Sequence, residues 1–231
     1  MYTFDEKQKI DALKEKDPET YLLLDTMRLE LKEALHNGCH DIQNVLALIS
    51  GNVQLLEHSH PEIKTSVYFE SLKSDIKYLI RMLSAISKFR NSATSNKSKF
   101  NPVISIKKII ASYPVKTELN SRNLPTIVNA DRDGLEFIVT SILENIAECD
   151  ENACASVSLS VDNGFLKIVI KDNLPELPKE ASDNFFKPFY TTKQDHFGLG
   201  LPTAYRIAVT NNGYLKYEYN GGNIFTATIQ I

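Results

Sequence analysis

The apolar residues in the first half of the chain recur at alternating intervals of four and three, and this spacing constrains the fold more than any other feature. The first series consists of Leu35, Cys39, Ile42, Leu46, Ile49, Val53 and Leu56. The second series consists of Phe69, Leu72, Ile76, Leu79, Leu83 and Ile86. Each series predicts a helix with one apolar seam, of the kind found in coiled coils and helical bundles.

A helix break separates the two series. The residues HSHPE (58–62) contain Pro61, which lacks an amide donor and restricts the residue before it. The two helices are therefore expected to form a hairpin. Since a two-helix hairpin cannot enclose a core by itself, we expect a homodimer in which two hairpins form a four-helix bundle.

A polar segment, NSATSNKSKFNP (91–102), interrupts the apolar spacing after the second helix and predicts a linker. We therefore divide the chain into three parts. They are a helical dimerisation domain over residues 1–92, a linker over residues 93–101 and a second domain over residues 102–231.

The second domain alternates between helical and strand patterns. Helices are predicted over 103–112 and 134–148, and strands over 155–161 and 165–171. The two strands flank Asp162-Asn163-Gly164, a tripeptide typical of hairpin turns, and the chain ends in another strand-turn-strand pattern. These patterns predict an α/β sandwich, one sheet with helices on one face, so that the fold class is α plus α/β.

Composition limits the class of protein. The 231 residues are 42% hydrophobic and 24% charged, which is typical of a globular protein. The net charge of −3 gives no general attraction to nucleic acid, and no apolar run is long enough for a membrane span. Three cysteines without metal-ligand spacing, and an amino terminus without a signal-peptide pattern, favour a cytoplasmic location.

Two histidines, His36 and His40, lie one helical turn apart on the first predicted helix, off the apolar seam. Such a pair can bind a metal ion, but no third ligand accompanies it, and two surface histidines are the simpler interpretation. The residues HDIQN (40–44) distinguish His40. Asp41 can accept a ring proton and so activate the other nitrogen, and Asn44 lies on the same helix face one turn further on.

Five motifs follow in the second domain. They are TSILENIAE (140–148), VIKDN (169–173), FFKPFYTTK (185–193), GLGLPTAYRIA (198–208) and GGNIFTATI (221–229). In this order they resemble the asparagine box, first glycine box, phenylalanine box, second glycine box and closing strand of the GHKL-type ATP-binding domain of bacterial sensor histidine kinases. HDIQN is then similar to the phosphoacceptor box of that family's dimerisation domain, so the resemblance covers about residues 25–231.

The resemblance implies a homodimeric two-component histidine kinase whose partner is the receiver domain of a response regulator. The implied phosphoacceptor is His40, with Asp41 and Asn44 as its catalytic neighbours. The implied cofactors are ATP and Mg²⁺, with Asn145 as the metal ligand. The implied ATP-binding residues are Asn145, Glu148, Asp172, Asn173, Thr192, Lys193, Gly198, Leu199, Gly200 and Leu201.

The residue types also suit this chemistry without the family. Gly198 and Gly200 at a helix start let backbone amides approach phosphates closely. Asp172 at a strand end can accept a hydrogen bond from an exocyclic amine, and Lys193 can reach a terminal phosphate. Asn145 offers an oxygen to a hard cation.

The sequence departs from the family pattern at several positions. Leu174 and Glu176 stand where the first glycine box has two glycines, which predicts a strained turn or a crowded adenine pocket. Ser141 replaces the first asparagine of the asparagine box, and His196 stands where an earlier glycine belongs in the second glycine box. The segment 194–197 is a very short ATP lid.

These departures keep other functions open. One is a phosphorelay phosphotransferase that uses the histidine helix without ATP, its ATP domain having become a scaffold. Asn145, Asp172 and the intact TTK and GLGL motifs favour the kinase instead. A pure binding module that docks on such dimers without chemistry is a third possibility, whereas a gyrase-type ATPase is disfavoured because Ser141 cannot act as its hydrolytic base.

Overall fold

The computed structural model describes residues 4–150 and 152–231, with the side chains of residues 4–8, 11 and 32 outside the described part. The chain divides into two compact units. One contains Phe4–Arg90 and the other contains Asn91–Ile231.

The first unit is helical. Its elements are α1 (Phe4–Lys16), α2 (Pro18–Ser59), a 3₁₀ helix (Pro61–Thr65) and α3 (Val67–Asn91). Asp17 caps α2, because its carboxylate accepts a hydrogen bond from the Thr20 amide at 3.1 Å, and Pro18 fits the first helical position. The predicted helix break around Pro61 is confirmed, since α2 ends at Ser59 and Pro61 begins the 3₁₀ helix.

Helices α2 and α3 form the predicted hairpin. Its register is fixed by the ion pair between Lys73 Nζ and Glu57 Oε1 at 3.0 Å and by the contact between Gln43 Nε2 and Ser87 Oγ at 3.4 Å. Half of each apolar seam packs inside the hairpin, namely Cys39, Leu46 and Val53 on α2 and Phe69, Ile76 and Leu83 on α3. The other half remains exposed on this chain, namely Leu35, Ile42, Ile49 and Leu56 on α2 and Leu72 and Leu79 on α3.

The second unit combines helices with a mixed sheet. Its elements are β1 (Lys97–Phe100), α4 (Pro102–Ala111), β2 (Lys116–Arg122), β3 (Val128–Asp131), α5 (Arg132–Cys149), β4 (Cys154–Asp162), β5 (Phe165–Asp172), α6 (Lys179–Asn184), α7 (Gly200–Thr210), β6 (Leu215–Tyr219) and β7 (Asn223–Gln230). The predicted helices and both predicted strand pairs are confirmed. The turn between β4 and β5 uses left-handed backbone at Asn163 and Gly164, as its sequence indicates.

The main sheet has the strand order β2-β4-β5-β7-β6, and only β2 and β4 pair in parallel. Alternate residues of β5 are buried, including Leu166, Ile168 and Ile170, which indicates that one face of the sheet is covered. Helix α5 contributes Leu135, Ile138 and other buried side chains to the same core. The end of β5 carries Asp172, α7 begins at Gly200, and β7 begins at Asn223.

The prediction of a single sheet was incomplete. Strands β1 and β3 form a separate antiparallel pair, and β1 lies within the segment predicted as a linker. That segment is also attached to its own unit, because Thr210 Oγ1 donates to the Ser92 carbonyl at 3.0 Å and Ser95 Oγ donates to Asn211 Oδ1 at 2.5 Å. Its polar serines therefore anchor the chain to the end of α7, while the boundaries of the functional domains stay a prediction.

None of the helices in the described part of the chain is long and apolar enough to span a membrane.

Candidate functional site

His40 is exposed on α2, and both of its predicted neighbours contact the same ring nitrogen. Asn44 Nδ2 lies 3.2 Å from His40 Nδ1, and Asp41 Oδ1 lies 3.7 Å from it. The side chains of His40 and Asp41 are 62% and 80% exposed, so both are open to a large reactant. The ring nitrogen turned away from these contacts is Nε2, which can act as a nucleophile only in the tautomer that has its proton on Nδ1.

The tautomer of His40 depends on the orientation of the Asn44 amide. If Nδ2 faces the ring, Nδ1 accepts and the proton lies on Nε2. If the amide is reversed, Asn44 Oδ1 accepts the Nδ1 proton and Nε2 keeps a lone pair. Only the second arrangement gives an attacking Nε2, so Asn44 and Asp41 together can hold the reactive tautomer. The neighbouring His36 ring lies with its centroid 6.5 Å from that of His40.

Asn145, the predicted metal ligand, projects from α5 with its amide fixed. Its Nδ2 donates to the Ser141 carbonyl at 2.7 Å, which leaves Oδ1 directed away from the helix backbone. Lys193 Nζ lies 3.4 Å from that oxygen. Ser141 itself is buried, and its backbone oxygen, not its side chain, orients Asn145.

Glu148 lies one turn further along α5 and contacts Lys193 and His196 of the loop that precedes α7. Its Oε2 is 2.6 Å from Lys193 Nζ, and its Oε1 is 3.6 Å from His196 Nε2. Asn145 Oδ1 and the Glu148 carboxylate therefore surround one ammonium group. Mg²⁺ prefers oxygen ligands, so the Asn145 Oδ1 fits a hard divalent cation, whereas the Glu148 carboxylate is already paired with Lys193.

Asp172, at the end of β5, is buried and almost fully engaged by the protein. Its Oδ1 accepts hydrogen bonds from the Asn223 amide, Asn223 Nδ2 and the Leu174 amide, each at 3.0 Å. Its Oδ2 has a longer contact with Asn223 Nδ2, at 3.3 Å. Tyr217 Oη donates to Asn223 Oδ1 at 2.8 Å and so orients the asparagine. The less occupied Oδ2 is the atom able to accept from a ligand amine.

The turn after Asp172 is built without the predicted strain. Among the described residues, neither Leu174 nor Glu176 has a positive φ. Leu174 instead packs partly against the core and donates its amide to Asp172. The glycine that this corner requires is Gly222, with φ of +148°, because a Cβ there would lie 2.1 Å from the Asp172 carbonyl oxygen. The expected strain at Leu174 and Glu176 is therefore absent, while the alternative expectation, a crowded adenine pocket, stays a prediction.

Asn173 and Thr192 have different surroundings. Asn173 Oδ1 accepts a hydrogen bond from the Cys154 amide at 2.8 Å. This side chain therefore links the start of β4 to the end of β5. Thr192 is exposed next to Lys193. A contact of either residue with nucleotide stays a prediction.

The GLGL motif surrounds the start of α7. Gly198 has φ of +61°, and a Cβ there would lie 2.4 Å from the Tyr190 carbonyl oxygen, so only glycine fits. Leu199 is buried and occupies the N-cap position without a side-chain cap. The first amides of α7, at Gly200 and Leu201, thus begin an eleven-residue helix at an end suited to an anion.

The phenylalanine box supports this corner through aromatic packing. Phe185 packs edge-on against Phe225 and Tyr217, with ring centroids 5.9 Å and 5.3 Å away. Phe186 contacts Phe185 and the Tyr205 ring of α7. The box therefore connects α7 to β6 and β7 near the Asp172 corner, while its last residue, Lys193, reaches α5.

Part of the chain matches a known protein family, and most of it matches curated relatives. Residues 130–231 match the family described as histidine kinase-, DNA gyrase B-, and HSP90-like ATPase. Over 212 residues the chain is 24% identical to Sporulation kinase C of Bacillus subtilis, covering 87% of this chain and 49% of that protein. Over 220 residues it is 26% identical to Sporulation kinase D of the same organism, covering 90% and 43%.

The chain is related to the bacterial sensor histidine kinases. It spans about half the length of these curated relatives. Solved structures share its fold: full-length ShkA in complex with AMPPNP matches with a TM-score of 0.68 at 18% identity, over 86% of this chain and 46% of that chain. Histidine kinase ThkA in complex with response regulator protein TrrA matches with a TM-score of 0.56 at 17% identity, over 96% and 66%.

The residues that hold the predicted site residues in place could not be predicted from local sequence. Asn223 donates to Asp172, and Tyr217 donates to Asn223. Both lie on strands that follow Asp172 by about fifty residues in the chain, and no local pattern connects them. The asparagine directly after Gly222 in the closing motif was the available signal. The contact of Glu148 with Lys193 could have been suggested only by their opposite charges.

Proposed function

We propose that the chain is the kinase core of a two-component system, which transfers the γ-phosphoryl group of ATP to His40 and then to an aspartate of a response-regulator receiver domain. One observation carries this proposal. An exposed histidine with Asp41 and Asn44 at its Nδ1 occurs in the same chain as an ATPase-type domain over residues 130–231.

The chemistry at His40 follows from its surroundings. The Nε2 lone pair attacks the γ-phosphorus in line, a new N–P bond forms, and the bond to the bridging oxygen breaks so that ADP leaves with the electron pair. The imidazolium that results loses its Nδ1 proton to the Asp41 carboxylate, which lies 3.7 Å away and stabilises the positive charge meanwhile. Asn44 holds the ring orientation and would also be placed to orient a water that hydrolyses a phosphoryl group, which would be a phosphatase activity.

The nucleotide would be bound by the second unit. Asp172 Oδ2 would accept from the adenine amine, and the start of α7 at Gly200 and Leu201 would receive phosphate oxygens. Lys193 would reach a terminal phosphate, while Asn145 is the residue that would hold Mg²⁺ through its Oδ1. The ion would offset negative charge on the phosphates.

Two partners belong to this proposal. A second copy of the chain would cover the exposed half of the seam, including Ile42, Ile49 and Leu79, and so complete a four-helix bundle. A receiver domain would accept the phosphoryl group, and the ThkA relative, solved together with a response regulator, supports that class of partner. We also propose a cytoplasmic location, which suits the free thiols of Cys39, Cys149 and Cys154.

A second candidate is a phosphorelay phosphotransferase that does not use ATP. The engagement of Asp172 Oδ1 by three protein donors favours it, because little acceptor capacity remains for a base.

The two candidates differ in their phosphoryl donor. The purified chain is incubated either with γ-labelled ATP and Mg²⁺ or with a phosphorylated receiver domain, and Asn145→Ala is tested in parallel. The kinase predicts label from ATP in the wild type and none in Asn145→Ala. Label from the receiver alone, equal in both proteins, would replace the kinase with the phosphotransferase.

A further inference from the structure

The proposed cation ligand Asn145 and its neighbour Glu148 already contact a positive charge of the protein itself, the Lys193 ammonium group. Lys193 Nζ lies 2.6 Å from Glu148 Oε2 and 3.4 Å from Asn145 Oδ1. Both oxygens belong to α5, whereas Lys193 belongs to the loop of residues 189–198 that precedes α7. The ion pair is half-buried, with the two side chains 28% and 37% exposed.

The two ends of the 189–198 loop are joined by a backbone hydrogen bond. Its first amide, at Phe189, donates to the Gly198 carbonyl at 3.0 Å. Phe189 and Asp195 both have left-handed backbone although neither is glycine, at φ of 66° and 59°, which is unfavourable unless contacts compensate for it. Glu148 supplies such contacts from outside the loop, because its two oxygens face Lys193 and His196.

Lys193 cannot serve both the carboxylate and a nucleotide. While its ammonium group lies against Asn145 Oδ1, a divalent cation at that oxygen would be repelled, and while it pairs with Glu148 it is withheld from a phosphate. Binding of a nucleotide with its cation would change both contacts of Lys193. The metal would take the place of the ammonium group at Asn145 Oδ1, and a phosphate would take the place of Glu148 as the partner of Lys193.

We propose that Glu148 determines nucleotide affinity by holding Lys193 in the position of the cation, and that Lys193 moves from this carboxylate to the phosphate when the nucleotide binds. The inference deepens the proposed function and rests on it. An ion pair that is still partly open to solvent is weak, so the exchange opposes binding by only about two- to five-fold. The loop is consequently held on α5 without nucleotide and is released at little cost.

The test uses the full chain with Glu148→Gln, Lys193→Gln and the double variant. Glu144→Gln is the matched control, since Glu144 lies one turn earlier on α5 and accepts from Tyr113 instead of Lys193. Two quantities are measured for each protein. One is the Kd of AMPPNP with Mg²⁺ by titration calorimetry, and the other is the hydrogen-exchange rate of the 189–198 amides without nucleotide.

We expect Glu148→Gln to bind AMPPNP about two- to five-fold more tightly than wild type and to exchange faster in the loop. In the Lys193→Gln background the same substitution should leave both quantities unchanged, and Glu144→Gln should match wild type. An equal gain of affinity with and without Lys193 would overturn the inference, because Glu148 would then act only through its own charge.

Failure of the proposed function gives a different result. If wild type binds no AMPPNP, nucleotide binding itself is absent and the role of Glu148 in affinity falls with it. The hydrogen-exchange rates would then still test whether the contact between Glu148 and Lys193 holds the loop on α5. Unchanged exchange in Glu148→Gln would show that it does not.

Discussion

Asn223 Nδ2 donates to both carboxylate oxygens of Asp172, at 3.0 and 3.3 Å, and the Asn223 backbone amide donates to the same residue. Both residues are buried, at 5% exposure for Asp172 and 2% for Asn223. The carboxylate predicted to recognise adenine is therefore held by a side chain from β7, and its position depends on that side chain.

Replacing Asn223 by alanine should destabilise the second unit. The substitution removes the side-chain donor to Asp172 and Pro175 and leaves Tyr217 Oη without this acceptor. We expect a loss of about 1–3 kcal/mol in the free energy of unfolding, measured by denaturant titration. Alanine at the exposed Asn129 is the control and should change stability by less than about 0.5 kcal/mol. Equal stability of both variants would contradict the structural role of Asn223.

Two adjacent glycines should respond differently to alanine. Gly222 has φ of +148° and its added Cβ would lie 2.1 Å from the Asp172 carbonyl oxygen, whereas Gly221 has φ of +59° with nothing within 4 Å. We expect Gly221→Ala to cost about 1–2 kcal/mol, as an ordinary left-handed residue does, and Gly222→Ala to cost at least about 3 kcal/mol. Calorimetric melting of the two variants compares them directly, and a smaller effect at Gly222 would disprove the close approach.

Much of the fold could be predicted from periodicity. The α2–α3 hairpin and the two β-hairpins follow from local spacing and turn residues, which act over short sequence distances. Strands β1, β2 and β3 were missed for identifiable reasons. β1 has the sequence KSKF inside a polar segment, β3 has only four residues, and β2 lies at a sheet edge where its polar residues remain exposed.

The exposed half-seam predicts how the helical unit associates. Ile42 is 52% exposed on this chain. In a dimer with two-fold symmetry, each protomer contributes this residue to the interface, so Ile42→Asp would bury two charges there. Loss of each buried isoleucine weakens association by about 1.5–3 kcal/mol, and burial of the charge adds to this. We expect a dimer for wild type and a monomer for Ile42→Asp in sedimentation experiments at equal concentration.

Leu55 provides the control for the dimer. It is 66% exposed but lies outside the series of Leu35, Ile42, Ile49 and Leu56. Leu55→Asp should therefore remain dimeric. Dissociation by both substitutions, or by neither, would show that the exposed seam does not form the interface.

Tyr113 predicts a dependence of stability on alkaline pH. Burial, followed by the hydrogen bond to Glu144 at 2.9 Å, raises the pKa of Tyr113 from 10.0 to about 12. Since the folded state favours the protonated phenol, this contribution to stability is complete below pH 10 and is lost as the pH rises towards 12. Glu144→Gln should lower the pKa of Tyr113. Subtracting the tyrosinate titration of Tyr113→Phe isolates this group, and an unchanged pKa would contradict the role of Glu144.

The candidate site could be predicted less completely than the fold. The sequence motifs contain Asn145, Asp172 and Lys193, because each lies in a short segment with a recognisable spacing. Their mutual contacts depend on tertiary structure: Lys193 meets Glu148 across 45 residues and Asp172 meets Asn223 across 51. Local spacing therefore identifies the chemical groups, but cannot say which of them already bind one another.

His40, and not His36, is the proposed acceptor of the phosphoryl group. The most direct measurement is the site of phosphorylation after incubation with ATP and Mg²⁺, determined by phosphorus NMR and by comparing wild type with His40→Gln and His36→Gln. We predict one acid-labile phosphoryl group on Nε2 of His40, retained in His36→Gln and absent from His40→Gln. Phosphorylation that persists in His40→Gln, or a wild type that acquires none from ATP, would contradict the account.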